Sequence, residues 1–580
     1  MVRSQLNTRF LQSAAVGALP AITVCVFTSL SIYFGNTTEF IASLAEIFRA
    51  YLPFLLVFVI IFGVLGTVMS KAGHSRFIAV GGALTLLMWL QANILVWDYG
   101  PLDGRSINWL LGISRGLLDS SIWIAVLAFA VVRHRTHGRL LLHAAVAALL
   151  AQVVTAGILL AGDEERGIAT SSVEQNRKAK QSVMRFSESF NVVHIVMDGF
   201  QSDIFTSIVN DPENRSYKDR LQGFTFFEEN LGAYPYTQMT VPALLSGSLY
   251  RNHVPVDEFI DATLAGQTIL RAATDAGFEV DIAAPVGLKN MYAKSTHAYA
   301  YGVSRTDSAS ARDLVAKDAA KLLDLSLFRV MPHFVKPLIY RDDLWLFQAK
   351  GDARSFMHIQ YFADLAFIRD LTQNLEVDRR APVYKMMHFM LSHWPTVGNR
   401  DCEYDGRRGG SRENVTTQAR CGLSAILDLF EEMKSQDIYD SSLIVLMADH
   451  GAWVRVEGID TAGRSDTLDS LDIAQAIPVL AIKRPGDQNA FTVSSRPTSI
   501  IDVPATIADV LELDATFPGI PIFTMGAEKT RERRHYEYLP GDNPDHEGYL
   551  NPMQEYVVSG SPFDIGSWQR GRRYLPPGNQ

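Results

Sequence analysis

Two acidic groups, several imidazoles and a hydroxyl in this sequence sit where short apolar runs stop. Asp198 directly follows Asn191–Met197 (NVVHIVM) and precedes Gly199. Asp449-His450-Gly451 closes a second run that begins at Leu443. His388 and His393 lie at or just after the end of a third, Val383–Phe389. Two carboxylates and an imidazole are a natural donor set for zinc or manganese. Singly the fragments say little. An Asp-Gly after a strand is usually a turn, and a histidine inside an apolar strand, such as His194 or His388, is usually a satisfied core residue. Thr237 precedes a helical pattern over 238–246. Its hydroxyl is either a helix cap or a nucleophile at a helix N-terminus, a place that also favours phosphate. Thr240 is the alternative hydroxyl.

The elements that must position these groups alternate. Runs at 191–197, 279–284, 383–389, 443–448 and 477–482 read as strands, being short, apolar and rich in β-branched residues. Helical patterns occupy 267–276, 423–434 and 500–511. This alternation predicts a doubly wound α/β domain with a mostly parallel sheet, in which ligands bind beyond the C-terminal strand ends.

The chain has 580 residues and a net charge of −9 with no long basic run, which argues against nucleic acid as a partner. Residues 1–161 are mostly apolar, and the rest has the composition of a soluble protein. Five stretches, about 11–34, 51–70, 77–97, 116–132 and 140–161, are long enough or nearly so to cross a membrane. The first is too long for a cleaved signal peptide. The fourth is short and carries Asp119. One set of loops holds Arg3, Arg9, Lys71, Arg76, Arg133, Arg135 and Arg139; the other holds Arg49, Arg105 and Arg115 among acidic residues. The positive-inside rule places the N-terminus in the cytoplasm and everything after 161 outside, the periplasm or cell surface of a bacterium. The expected organisation is a membrane region at 1–161, a juxtamembrane linker at 162–190, a catalytic domain at 191–525 and a C-terminal extension at 526–580. In an oxidising compartment Cys402 and Cys421 are expected to pair.

Together, the fragments resemble the alkaline phosphatase superfamily. Ile195-Val196-Met197-Asp198-Gly199-Phe200 is similar to the opening motif of its nucleotide pyrophosphatase/phosphodiesterase branch, where the Asp is a metal ligand. Thr237 to Gly247 resembles the nucleophile motif of sulfatases, and Leu249 to His253 the segment after it. Ala448-Asp449-His450-Gly451 resembles a metal motif. Ile482 to Gly486, Ile501 to Thr506 and Phe517-Pro518-Gly519 resemble the late landmarks, so the likeness spans about 190–525. It implies a divalent ion, zinc or manganese, held by Asp198, Thr237, Asp449 and His450. It also implies Thr237 as nucleophile, His393 as its catalytic partner, and His388, His393 and His253 as substrate contacts. A threonine cannot become the formylglycine of sulfatases, and the opening motif has one acidic residue where sulfatases usually have two; both features favour phosphoryl transfer. Five spans before an outward-facing domain look like lipoteichoic acid synthases, phosphoethanolamine transferases and phosphoglycerol transferases, although their first ligand is commonly Glu. The segment His388 to Pro395 resembles their Ser-His-Gly-Pro-type segment. The implied reaction moves a headgroup from a phospholipid donor, through a phospho-threonine, to a glycan or lipid acceptor. The alternatives are hydrolysis, which a second metal site using histidines such as His535 and His546 would favour, and a non-catalytic lipid-binding regulator. The aromatic tail after 525 is either an acceptor-binding surface or a packing extension.

Overall fold

All seven residues of Asn191–Met197 are buried, which requires a strand covered on both faces. The computed structural model describes residues 2–36, 40, 42–97, 99, 107, 109–110, 112–166, 178–294, 300–303, 311–341, 345–347, 356–394, 396–459, 468–526, 530–539 and 548–577. It divides into two compact units, Met1–Ser172 with Ala309–Ser355, and Val173–Ser308 with Phe356–Gln580.

The second unit is built on an eight-stranded sheet. Its strands are β1 (Asn191–Met197), β2 (Phe224–Phe227), β3 (Glu279–Pro285), β4 (Ala300–Val303), β5 (Val383–Phe389), β6 (Leu443–Met447), β7 (Leu480–Lys483) and β8 (Thr492–Ser494). They lie in the order β8-β2-β7-β6-β1-β5-β3-β4. The run from β6 to β4 is parallel, and β7 is antiparallel to both neighbours. Alternate residues of β1 enter opposite cores. Val193, Ile195 and Met197 pack with the Arg412–Ser435 helix, and Val192 and Val196 with the Thr237–Ser246 and Asp502–Val510 helices. The expected mostly parallel α/β sheet is therefore the one observed. Cys402 and Cys421 are joined by a disulfide.

Two boundaries differ from the sequence reading. Residues 178–184, expected within a linker, are helical, and Arg185–Ser187 pairs with Glu376–Arg379 as a small parallel ladder. The cause is a buried charge cluster. Lys385 on β5 lies 2.9 Å from Asp281 on β3 and donates to the carbonyls of Val183 and Arg185, while Arg379 reaches Asp281 at 3.0 Å. The second difference is that 309–355, inside the expected catalytic domain, belongs to the other compact unit.

Among the described residues that unit has five helices long and apolar enough to cross a membrane: Leu6–Gly35, Leu44–Val68, Lys71–Asn93, Ile113–Val132 and His134–Ile158. The Ala311–Val330 helix packs among the first three through Ala319, Leu322 and Leu323. Its polar residues serve as local partners: Asp318 accepts from the Ala42 amide, and Ser326 bonds Ser29. Asp119, in the fourth span, accepts from the backbone amide of His333 and from the side chains of Gln91 and Trp97.

The C-terminal extension forms an antiparallel sheet of β9 (Arg533–Glu537), β10 (Met553–Val558) and β11 (Trp568–Tyr574). It packs on the approach to Thr237. The Tyr536 amide donates to the Ala233 carbonyl, and the Tyr536 ring stacks on Tyr234.

Asp281→Ala strands two buried cations. It should destabilise the protein by about 3–5 kcal/mol, read as a lowered urea midpoint in detergent; an unchanged midpoint would mean that the cluster contributes nothing net.

Candidate metal centre and nucleophile

Register brings the acidic groups together. Met447 on β6 faces Val196 on β1, and Val196 also faces His388 on β5. Two residues further along β6 and β1 come Asp449 and Asp198. Both are buried at the C-terminal edge of adjacent parallel strands. Ligand atoms of Asp198, Asp449 and His450 all lie within 4.8 Å of one another.

The hydrogen bonding around them leaves specific atoms free. The His450 Nδ1 donates to the Gly451 carbonyl, so Nε2 carries the lone pair. It points at Asp198 Oδ1 (3.5 Å) and Asp449 Oδ2 (3.6 Å). Among the described residues those two buried oxygens have no hydrogen-bond partner. Buried orphan acceptors are rare unless something positive binds them. The other Asp449 oxygen accepts from the Gly199 amide, where a φ of +69° turns the chain. Converging carboxylate oxygens and an imidazole nitrogen with its tautomer fixed fit zinc or manganese.

Thr237 is the first residue of its helix; the cap is Tyr236, which makes no side-chain cap bond. The Thr237 hydroxyl is not spent on capping. It donates to Asp198 Oδ2 at 3.2 Å and lies 3.4 Å from His450 Nε2. Thr240 is buried one turn on and bonds back to the Tyr236 carbonyl, the ordinary behaviour of a threonine inside a helix. Its hydroxyl makes no contact with the acidic cluster, so the geometry favours Thr237.

The other histidines separate. His393 is partly exposed, with Nε2 3.8 Å from Asp198 Oδ1, and the amide of Gln418 holds its carbonyl. His388 is fully buried. Its Nε2 donates to Asp198 Oδ2 at 3.1 Å and its Nδ1 is 2.7 Å from the Tyr292 hydroxyl. The substrate contact expected of His388 would need exposed surface that its ring lacks; its two nitrogens instead meet Asp198 and Tyr292. His253 is exposed and packs beside Tyr250 and Phe259, with no polar contact to the cluster among the described residues. His194 is a core residue between Tyr384 and Met447. Both nitrogens of His535 are engaged, by Gly232 and Glu537. His546 lies outside the described residues.

Sequence reasoning missed Tyr292 and Asp364. Asp364 is buried, accepts from the Met390 amide just past β5, and is pushed up to about 7 by its burial. It fixes the turn that leads to His393, but it sits on the Phe356–Gln373 helix with no neighbouring motif to mark it. A cleft of about 200 Å³ opens beside the cluster, lined by Gly199, Ser392, His393, His450 and the exposed indoles of Trp394 and Trp453.

Burial disfavours charge on both Asp198 and His450, yet in each case the facing groups prevail. The imidazoles of His393, His388 and His450 hold Asp198 well below the usual carboxylate range. Asp449, Asp198 and the Gly451 carbonyl raise His450 above its ordinary 6.5.

A sulfatase family model matches residues 190–513, more than half of the chain, and the chain belongs to that family. Most members of this fold are enzymes. No curated protein matches the chain. Among solved structures it is similar to a protein of the alkaline phosphatase superfamily from Vibrio parahaemolyticus (12% identity, 67% of this chain and 83% of that one, TM-score 0.39). It is also similar to the C-terminal periplasmic domain of EcEptC from Escherichia coli, complexed with Zn (12%, 68% and 95%, 0.37). A third is the lipoteichoic acid synthase LtaP from Listeria monocytogenes (11%, 66% and 86%, 0.36).

Metal and proton compete for His450 Nε2. The raised His450 value means that the charged imidazole stabilises the metal-free fold fully below 6.5, and that this contribution is lost as pH climbs through the raised value. Metal-free protein should therefore melt at a lower temperature as pH rises through that window. Zinc affinity should rise over the same window, by up to about tenfold per pH unit. Calorimetric titration with zinc at several pH values checks both the affinity and the accompanying proton release. An affinity independent of pH would exclude His450 as a ligand.

Proposed function

We propose that the chain is a membrane-anchored, metal-dependent transferase that moves a phospholipid headgroup, phosphoglycerol or phosphoethanolamine, to a cell-envelope glycan or lipid. The observation that carries this reading is the Thr237 hydroxyl, freed from capping and bonded to Asp198 at the edge of an orphan-acceptor cluster. Zinc or manganese held by Asp198, Asp449, His450 and Thr237 would supply positive charge that lowers the threonine pKa and steadies the phosphoryl oxygens.

The chain's own residues do the rest. Thr237 Oγ1 attacks phosphorus as its proton passes toward Asp198, and the bond from phosphorus to the diacylglycerol oxygen breaks. His393, facing the cleft, protonates that departing oxygen. The headgroup phosphate is then esterified to Thr237 at the start of its helix, where the backbone amides favour phosphate. In the second step an acceptor hydroxyl loses its proton to His393 and attacks phosphorus, and the Thr237 oxygen leaves, taking back the proton passed to Asp198. Water in place of the acceptor turns the same cycle into hydrolysis. His388, with Tyr292 behind it, keeps Asp198 aimed at Thr237.

Placement supports the same reading. The excess of basic residues in one set of loops supports an N-terminus in the cytoplasm and a catalytic domain in the periplasm, anchored to the bacterial inner membrane. The Cys402–Cys421 disulfide is suited to that oxidising side. An anchored site meets lipid headgroups at high local concentration.

Purified full-length protein in detergent, given phosphatidylglycerol or phosphatidylethanolamine with zinc or manganese, should release diacylglycerol. Thr237→Ala should slow release by roughly a thousandfold or more, and Thr237→Ser should retain part of it. Release undiminished in Thr237→Ala would contradict the nucleophile assignment.

A further inference from the structure

The insertion 309–355 interrupts the catalytic sheet between β4 and β5, yet it belongs to the compact unit of the five apolar helices. Its Ala311–Val330 helix is wedged beside the first three spans. Tyr51, in the second span, donates to the Ala319 carbonyl, and Arg329 donates to the carbonyl of Ala92 at the end of the third. The chain then turns at His333. That backbone amide is held by Asp119, and its ring rests against Gly112 and Gly116, where any Cβ would strike it. A carboxylate inside an apolar span is expensive and calls for a specific partner. Asp119 has one: it fastens the insertion to the fourth span.

Beyond this fastening lie the His333–Val335 turn and the short Lys336–Tyr340 helix. His333, Lys336, Ile339 and Tyr340 are buried, while Phe334 is 48% and Leu338 68% exposed. Both exposed side chains are large and apolar. Their surroundings show what covers them. Leu110, Ile113 and Leu117, at the start of the fourth span, are likewise exposed, and the His333 Nε2 lies 3.2 Å from the Trp109 carbonyl in the same stretch. The exposed face of an apolar span faces lipid, and Phe334 continues it one residue from His333. Tyr99, Trp109, Tyr340 and Trp345 gather with Phe328 at this level, the composition of a membrane–water interface.

We propose that residues 333–340 form an interfacial segment whose Phe334 and Leu338 enter the acyl region of a phospholipid leaflet, so that the catalytic sheet is tied to the bilayer by its own insertion as well as by the N-terminal spans. The proposal stands independently of the transferase reading. Interfacial segments bury one apolar face at the headgroup–acyl boundary and keep their polar groups above it.

The test is nitroxide labelling of full-length protein in nanodiscs of phosphatidylcholine and phosphatidylglycerol. Cys402 and Cys421 are paired, and Cys25 is buried and can be replaced by Ala. Labels at Leu338→Cys and, separately, Phe334→Cys are compared with Leu117→Cys on the fourth span and Val493→Cys on exposed β8. The expected result is an oxygen-to-nickel collision ratio at 338 and 334 several-fold above that at 493 and close to that at 117. A ratio equal to that at 493 would place the segment in water and overturn the proposal. Low access to both reagents would mean that protein covers the segment, and would overturn it equally.

Discussion

A single carboxylate organises the sulfatase-family unit. Asp198 is buried, accepts from His388 and Thr237, and lies within 3.8 Å of His393 and 3.5 Å of His450. A lone buried carboxylate would take up a proton to lose its charge. Here three imidazoles keep it ionised, and the ionised form both orients the threonine and suits a divalent ion. Each partner arrives on a different element: β5 brings His388, the loop after it His393, β6 leads to His450, and a helix start presents Thr237. Only parallel strands in this register place those ends side by side. The two cores, the buried Lys385–Asp281 pair and the C-terminal sheet behind residues 233–236 all serve to hold that edge.

The apolar unit follows a similar rule. Asp119 sits where an uncompensated charge would be costly, and its Oδ2 accepts from Gln91, Trp97 and the amide of His333. Asp318 and Asp324 of the insertion likewise accept from backbone amides, at Ala42 and Phe347. Asp119, Asp318 and Asp324 thus act as fixed acceptors that tie non-adjacent segments of this unit together.

Much of this was legible in the sequence, for definite reasons. β1 and β5 match their expected bounds because a fully buried strand reads as an unbroken apolar run, ended here by Asp198-Gly199 and by the turn after Phe389. The five apolar helices were visible from length and composition alone. The Arg412–Ser435 helix begins eleven residues before the expected start at Leu423, because its first turns bury Val415, Gln418 and Ala419 among polar neighbours such as Asn414, Thr416 and Thr417, which hides their period. The Ala311–Val330 helix was missed entirely. Its Arg312, Lys317, Asp318, Lys321 and Asp324 lower its hydropathy, while its burial comes from pairing with distant partners, which local pattern does not encode. His388 was found, but its place behind Asp198 depends on strand register, and His253 shared a motif without sharing the site.

The central claim is that Thr237 carries the phosphoryl group. The most direct measurement is peptide mapping by tandem mass spectrometry after brief exposure of metal-loaded protein to lipid donor and acid quenching. The account predicts a headgroup-phosphate increment on the peptide containing Thr237, localised to that residue and absent from Thr237→Ala. An increment on Thr240 or on a histidine, or turnover with no covalent adduct at any time point, would contradict it.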